Sequence, residues 1–188
     1  MIIALLGASG SGKDLIRFSL FKTYKYKTIV KYTTREQRDG EKNGKDYHFI
    51  PLDMFKEASE RGLFAEEEDW QKGRLYGTLK SDYMGKEDKV VILTPSSLRQ
   101  LRKNCPSINL YTVYIDANLG TRMKRYIERV GVKEFSFKDK DELCARVERD
   151  YAAYMNIEKE VDLVINNDHG RSITDIIKEI HEKCQKEK

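Results

Sequence analysis

Cysteine is scarce and badly spaced for chemistry. Cys105, Cys144 and Cys184 are odd in number and far apart. This excludes a disulfide framework and a paired-cysteine metal site, and reads as reduced thiols in a cytoplasmic protein. His48, His169 and His181 share no spacing that would make a metal or catalytic pair, and read as structural or solvent-facing. No apolar run approaches the roughly 20 residues that a membrane-spanning helix needs, so no membrane partner is expected. The chain starts as an apolar strand entering a glycine turn, with no basic region ahead of it, which is unlike a signal peptide. Internal repeats and low-complexity linkers are absent. So is a large excess of one charge: 35 basic residues face 31 acidic ones for a net +4. That balance is too mild to argue for nucleic acid by bulk charge.

What is present points to a phosphate. With 188 residues, 39% apolar and 35% charged, the chain can bury a core as one domain with a wet, charged surface. The apolar run Ile2–Leu6 leads into Gly7-Ala8-Ser9-Gly10-Ser11-Gly12-Lys13 and then into Leu15–Phe21. The order is strand, glycine-rich turn, helix, the context that a phosphate-binding P-loop requires. Glycines allow the backbone to aim its N–H groups inward at an anion. The helix that follows points the positive end of its dipole at the same place. Lys13 adds a mobile cation for the terminal phosphates. The next position, where the pattern has a Ser or Thr on Mg²⁺, is Asp14. Its carboxylate reads either as a favourable first-turn charge on the helix dipole or as a metal ligand of a different kind.

Along the chain, strands are expected at Ile2–Leu6, Lys27–Tyr32, Asp46–Ile50, Leu63–Glu67, Leu75–Leu79, Lys89–Leu93, Leu110–Ile115 and Val161–Ile165. Helices are expected at Lys13–Tyr24, Leu52–Arg61, Ser97–Lys103, Asn118–Val130, Glu142–Lys159 and Ser172–Glu187. The alternation predicts an α/β fold with a parallel sheet core and helices on both faces. Two pieces interrupt it. The core is then 1–32, 86–125 and 146–188, with one mixed insertion at 33–85 and a basic one at 126–145. A P-loop core with two inserted pieces suggests a phosphotransfer enzyme that closes over two substrates.

The run Thr33-Thr34-Arg35-x-x-Arg38-x-Gly40-Glu41-x-x-Gly44-x-Asp46-Tyr47-x-Phe49 resembles guanylate kinase. The likeness resumes at Phe64-Ala65-Glu66, Tyr76-Gly77-Thr78, Arg125-x-x-x-Arg129, Arg146 and Val164-Ile165-Asn166, in order and over nearly the whole chain. The resemblance implies ATP-dependent phosphorylation of GMP or dGMP, with Mg²⁺, in a P-loop fold carrying monophosphate-binding and lid segments. It implies that Arg35 and Arg38 hold the acceptor phosphate, a task suited to guanidinium forks, with Tyr47 and Tyr76 as hydroxyl donors. Glu66 matches the carboxylate that accepts from guanine N1–H and the exocyclic amine, and Thr78 a hydroxyl at the base. Arg125, Arg129 and Arg146 match lid arginines that neutralise transition-state charge. Asn166 lies near the adenine.

Each residue also has a plain structural reading. Arg35 and Arg38 fit solvated loop charges, Tyr47 and Tyr76 strand packing, Glu66 part of an acidic run with Glu67, Glu68 and Asp69, and the lid arginines ion pairs along a helix. The chain departs from the family at Lys31, where a serine usually contacts the base. It departs again at Thr94-Pro95-Ser96, where an acidic pair usually ends the core strand, and at Ser97-Leu98, where a glycine often follows. Asp14 is then the expected metal ligand. The alternatives are a related kinase for another deoxynucleoside monophosphate or a ribose bisphosphate, and a non-catalytic binding module of the same fold.

Overall fold

The first strand, β1 (Ile2–Leu6), is buried along its whole length, because both of its faces are covered. Ile3 and Leu5 pack on one side with Ile16 and Leu20 of α1 (Lys13–Tyr24) and with the last helix, while Ile2, Ala4 and Leu6 face the other layer. A continuous apolar run of this kind marks a parallel strand covered on both faces. The computed structural model describes residues 1–69, 73–131, 136–168 and 170–187. After α1 come β2 (Lys27–Thr28), β3 (Tyr32–Thr33), β4 (His48–Phe49), α2 (Leu52–Glu60), β5 (Phe64–Asp69) and β6 (Leu75–Leu79). Then follow β7 (Lys89–Ile92), α3 (Pro95–Asn104), β8 (Leu110–Asp116), α4 (Leu119–Val130), α5 (Phe137–Tyr154), β9 (Leu163–Asn166) and α6 (Ile173–Lys186).

A five-stranded sheet runs β2-β7-β1-β8-β9, with every pair parallel. The α1–α6 layer is built from Ile16, Leu20, Ile176, Ile177 and Ile180; the opposite layer has Leu98 and Leu101 of α3. A second sheet, β4-β3-β6-β5, lies within residues 32–79. Its β5–β6 hairpin sets Glu66 opposite Thr78 and Glu68 opposite Tyr76.

Three expected elements come out differently. The run Lys27–Tyr32 is not one strand. Ile29 still donates to the Val90 carbonyl of the core sheet, but the Lys31 carbonyl accepts from His48 in the second sheet. The chain changes sheets between them, and side-chain alternation does not record which sheet the backbone joins. The strand expected at Asp46–Ile50 is shorter, because Asp46 folds into a turn whose carboxylate accepts from the Lys42 N–H. The long helix starts and stops earlier than expected. Ser136 and Asp139 form a reciprocal cap at its start. Asn156, at φ 60°, takes the left-handed conformation just past its end. Cys105, Cys144 and Cys184 form no disulfide. His48 stacks on Tyr32 and His181 on Tyr24; His169 lies outside the described residues. Among the described residues no helix is long and apolar enough to cross a membrane.

Candidate active site

The glycine loop joins β1 to α1 at the end of the parallel sheet, where open α/β folds place their ligands. Two of its glycines are required by the geometry. Gly10 and Gly12 have φ of 80° and 96°, and a side chain at Gly12 would begin 2.5 Å from Asn167 Nδ2. Lys13 is folded back, donating to the Ala8 carbonyl at 3.0 Å. Burial at the base of the loop lowers its pKa from an ordinary 10.5 to about 8, against the opposing pull of Asp14 and Asp150.

A cleft of about 480 Å³ opens from the loop toward the second sheet. On the loop side it is lined by Gly7, Ser9, Lys13 and Asp14, and on the far side by Arg38, Tyr47 and Tyr76. Arg129 and Arg146 close it from α4 and α5. Both guanidinium groups stand over the Tyr126 ring, at 5.2 and 5.6 Å. Arg146 also donates to Glu142, from Nε at 3.0 Å.

Outside the glycine loop, five expected site residues are not on this wall. Arg35 is buried behind it. Its fork donates to Glu41 at 3.0 and 2.8 Å, its Nε to the Tyr76 hydroxyl at 3.2 Å, and one further N–H to the Glu36 carbonyl. It therefore braces Tyr76 and Glu41, and of the two expected phosphate-holding arginines it is Arg38 that lines the cleft. Glu66 and Thr78 are likewise fully buried, with the Thr78 hydroxyl donating to Glu66 at 2.5 Å. Arg125 donates to the carbonyls of Gly10 and Asn167 at 3.2 and 2.9 Å, so it ties the loop to β9. Asn166 is exposed and donates to Asp168. Leu163 and Ile165 turn inward on β9 and Val164 and Asn166 outward. The next inward position is Asn167, whose amide donates to the Ser11 carbonyl at 2.7 Å. The alternation of β9 contains that one-residue correction.

Other cleft residues were not anticipated. Asp150 accepts from the Ser9 N–H at 2.7 Å and from Arg122 at 3.4 Å. Arg149 and Tyr154 line the cleft beside it. Arg146, Asp150 and Tyr154 are spaced four apart, one face of a helix, and that spacing could have singled them out. Glu68 also lines the cleft and accepts from the Thr94 hydroxyl at the end of β7. The carboxylate missing from the β7 sequence is thus supplied in space by β5.

Asp14 sits in the first turn of α1, its side chain 84% exposed, 3.6 Å from Arg17. Among the described residues no three His, Cys, Asp or Glu side chains converge as a metal site.

A parallel sheet with a glycine loop at the end of its central strand, facing a second sheet across an arginine-lined cleft, defines a P-loop phosphotransferase. The guanylate kinase family model matches residues 1–187. The guanylate kinase of Wolinella succinogenes is 31% identical over 173 residues, spanning 88% of this chain and 76% of that protein. That of Clostridium acetobutylicum is 28% identical over 191 residues, spanning 98% and 87%. The crystal structure of guanylate kinase from Anaplasma phagocytophilum superposes with a TM-score of 0.68 at 19% identity, covering 99% of this chain and 85% of that one. The chain belongs to the guanylate kinase family.

Proposed function

We propose that this chain transfers the γ-phosphoryl group of ATP to GMP or dGMP, giving ADP and the nucleoside diphosphate. The observation that carries the reading is one cleft with Lys13 at one end and Arg38, Tyr47 and Tyr76 at the other. Phosphoryl transfer asks little of a protein beyond alignment and positive charge, and this cleft offers both. ATP lies with its phosphates in the loop, under the backbone N–H groups and Lys13. The acceptor phosphate meets Arg38 and the two tyrosine hydroxyls, while Arg35 holds Tyr76 in place. Arg129 and Arg146 close over the transferring group as α4 and α5 move down and the second sheet moves in. Arg125 acts on the loop. An assay coupled to ADP release, run over a panel of nucleoside monophosphates, tests the activity. Turnover with GMP or dGMP is expected, and no turnover with any acceptor would overturn it.

Asp14 is the residue that would hold Mg²⁺, together with the ATP phosphates and water. The ion, when bound, supplies charge neutralisation between the phosphates. A carboxylate beside polyphosphate is unfavourable without a cation between them, and Asp14 is open to the cleft. Asp14→Ser is expected to raise the Mg²⁺ needed for half-maximal activity several-fold and to weaken binding of Mn²⁺ in the presence of ADP, followed by the ion's electron paramagnetic resonance. An unchanged metal dependence would remove Asp14 from the site.

A further inference from the structure

The wall of the cleft beyond Tyr76 is where an acceptor base would lie, and it presents an unusual face. Glu66, the carboxylate that the family resemblance assigns to guanine, does not reach the cleft. Its side chain is 0% exposed, and Lys31 covers it. A carboxylate accepts about four hydrogen bonds. Here Oε1 takes the Thr78 hydroxyl at 2.5 Å and Oε2 the Ser97 hydroxyl at 2.7 Å. The Lys31 ammonium straddles both oxygens at 3.1 Å. Thr78 and Ser97 are themselves fully buried. The N1–H and 2-amine of a guanine would have to displace buried donors from a satisfied anion. The group that faces the cleft at this point is Lys31, beside Ile29, Leu93 and Thr94.

We infer that Lys31 is the specificity-determining residue for the acceptor base, and that this kinase takes 6-oxopurine nucleoside monophosphates as a class. The inference rests on the nucleotide-kinase reading above. An ammonium has three N–H donors and no acceptor. At least one is left over from Glu66, and it can reach only an acceptor. Guanine offers two adjacent acceptors, O6 and N7, and lysine is a standard partner for that edge. Adenine puts an amino group in place of O6, setting a donor against a donor. Hypoxanthine keeps O6 and N7 and lacks only the 2-amine. With Glu66 sequestered, the 2-amine has lost its reader. Glu68, which also lines the cleft, stands opposite Tyr76 toward the phosphate end and is held by Thr94. The buried, paired Glu66 keeps a second role, because it pins the Lys31 head in one place.

The test compares GMP, IMP and AMP on the full chain, by coupled turnover with ATP and by calorimetric binding without it. GMP and IMP are expected within about fivefold of each other in both measurements, with AMP roughly a hundredfold worse, the scale of a buried donor facing a donor. Lys31→Ser, which uncovers Glu66, is expected to shift the GMP-to-IMP ratio toward GMP by about tenfold or more; Lys31→Arg, which keeps the donors, is expected to leave it near one. The wild-type ratio needs no variant, so a poorly folded Lys31→Ser protein leaves the test intact. GMP binding about thirtyfold or more tighter than IMP would overturn the inference, because the 2-amine is then being read. Equal GMP and IMP binding without turnover would overturn the kinase reading and uphold the assignment of Lys31. Failure of all three to bind would overturn both.

Discussion

Lys13→Met is expected to lower kcat/KM for ATP about a thousandfold, the scale seen when a cation that meets developing phosphoryl charge is removed. The pH profile of the wild type should report the same residue. Burial holds the Lys13 ammonium at about 8 in the free protein, so the charge that captures ATP is lost as pH rises through 8. kcat/KM should fall roughly tenfold per unit above that point. Phosphates in the loop pull the proton back, so kcat at saturating ATP should keep its value to a higher pH. Stability should move the other way. Lys13 is protonated up to 10.5 in the unfolded chain and only to about 8 in the fold. The unfolded state binds more protons between these values, so the fold gains stability from pH 8 to 10.5. Below pH 8 the buried ammonium is a penalty that Lys13→Met removes. At pH 7 the variant should therefore be inactive without melting lower than the wild type. A kcat/KM for ATP that stays flat to pH 9.5, or a Lys13→Met protein within tenfold of wild type, would take Lys13 out of the reaction.

The sequence is most legible where local chemistry and topology coincide. β1, the loop and α1 follow from an apolar run, glycines at fixed intervals and a helical face, and their bounds match the structure residue for residue. Arg38 and Tyr47 come from a dense motif and Tyr76 from the short Tyr76-Gly77-Thr78 match, and all three line the cleft. Legibility fails where a role depends on what stands opposite in space. Nothing local says that Glu41 fills the Arg35 fork, or that Arg125 reaches back to Gly10. Nor does the acidic run Glu66-Glu67-Glu68-Asp69 announce that its members divide. Glu66 turns into buried hydroxyls, Glu67 accepts from Ser59, and Glu68 faces the cleft. A solvated acidic face and an edge strand whose carboxylates each have a separate partner are written in the same letters.

Four cations near the cleft share one arrangement. Arg35 rests on Glu41, Arg122 on Asp150, Arg146 on Glu142 and Lys31 on Glu66. Carboxylates hold these heads in position before any phosphate arrives, which lowers the ordering cost at binding. The most buried of these pairs should also matter most for the fold. Glu66→Ala leaves the Lys31 ammonium, 16% exposed, without its counter-charge and the Thr78 and Ser97 hydroxyls without an acceptor. Breaking a buried pair from one side costs about 3–5 kcal/mol, well beyond the roughly 0.5 kcal/mol of a surface change. Urea unfolding should show that loss as a lower midpoint at unchanged slope. Removing both charges is milder than removing one, because no unpaired ion remains. Lys31→Met combined with Glu66→Gln should therefore be more stable than Glu66→Ala alone, since the Gln carbonyl still accepts from one hydroxyl. The outcome that decides between a base-reading and a fold-holding Glu66 is the single variant. If Glu66→Ala unfolds within about 0.5 kcal/mol of wild type, Glu66 is open to the cleft in solution and the Lys31 cover is not a fixed part of the fold.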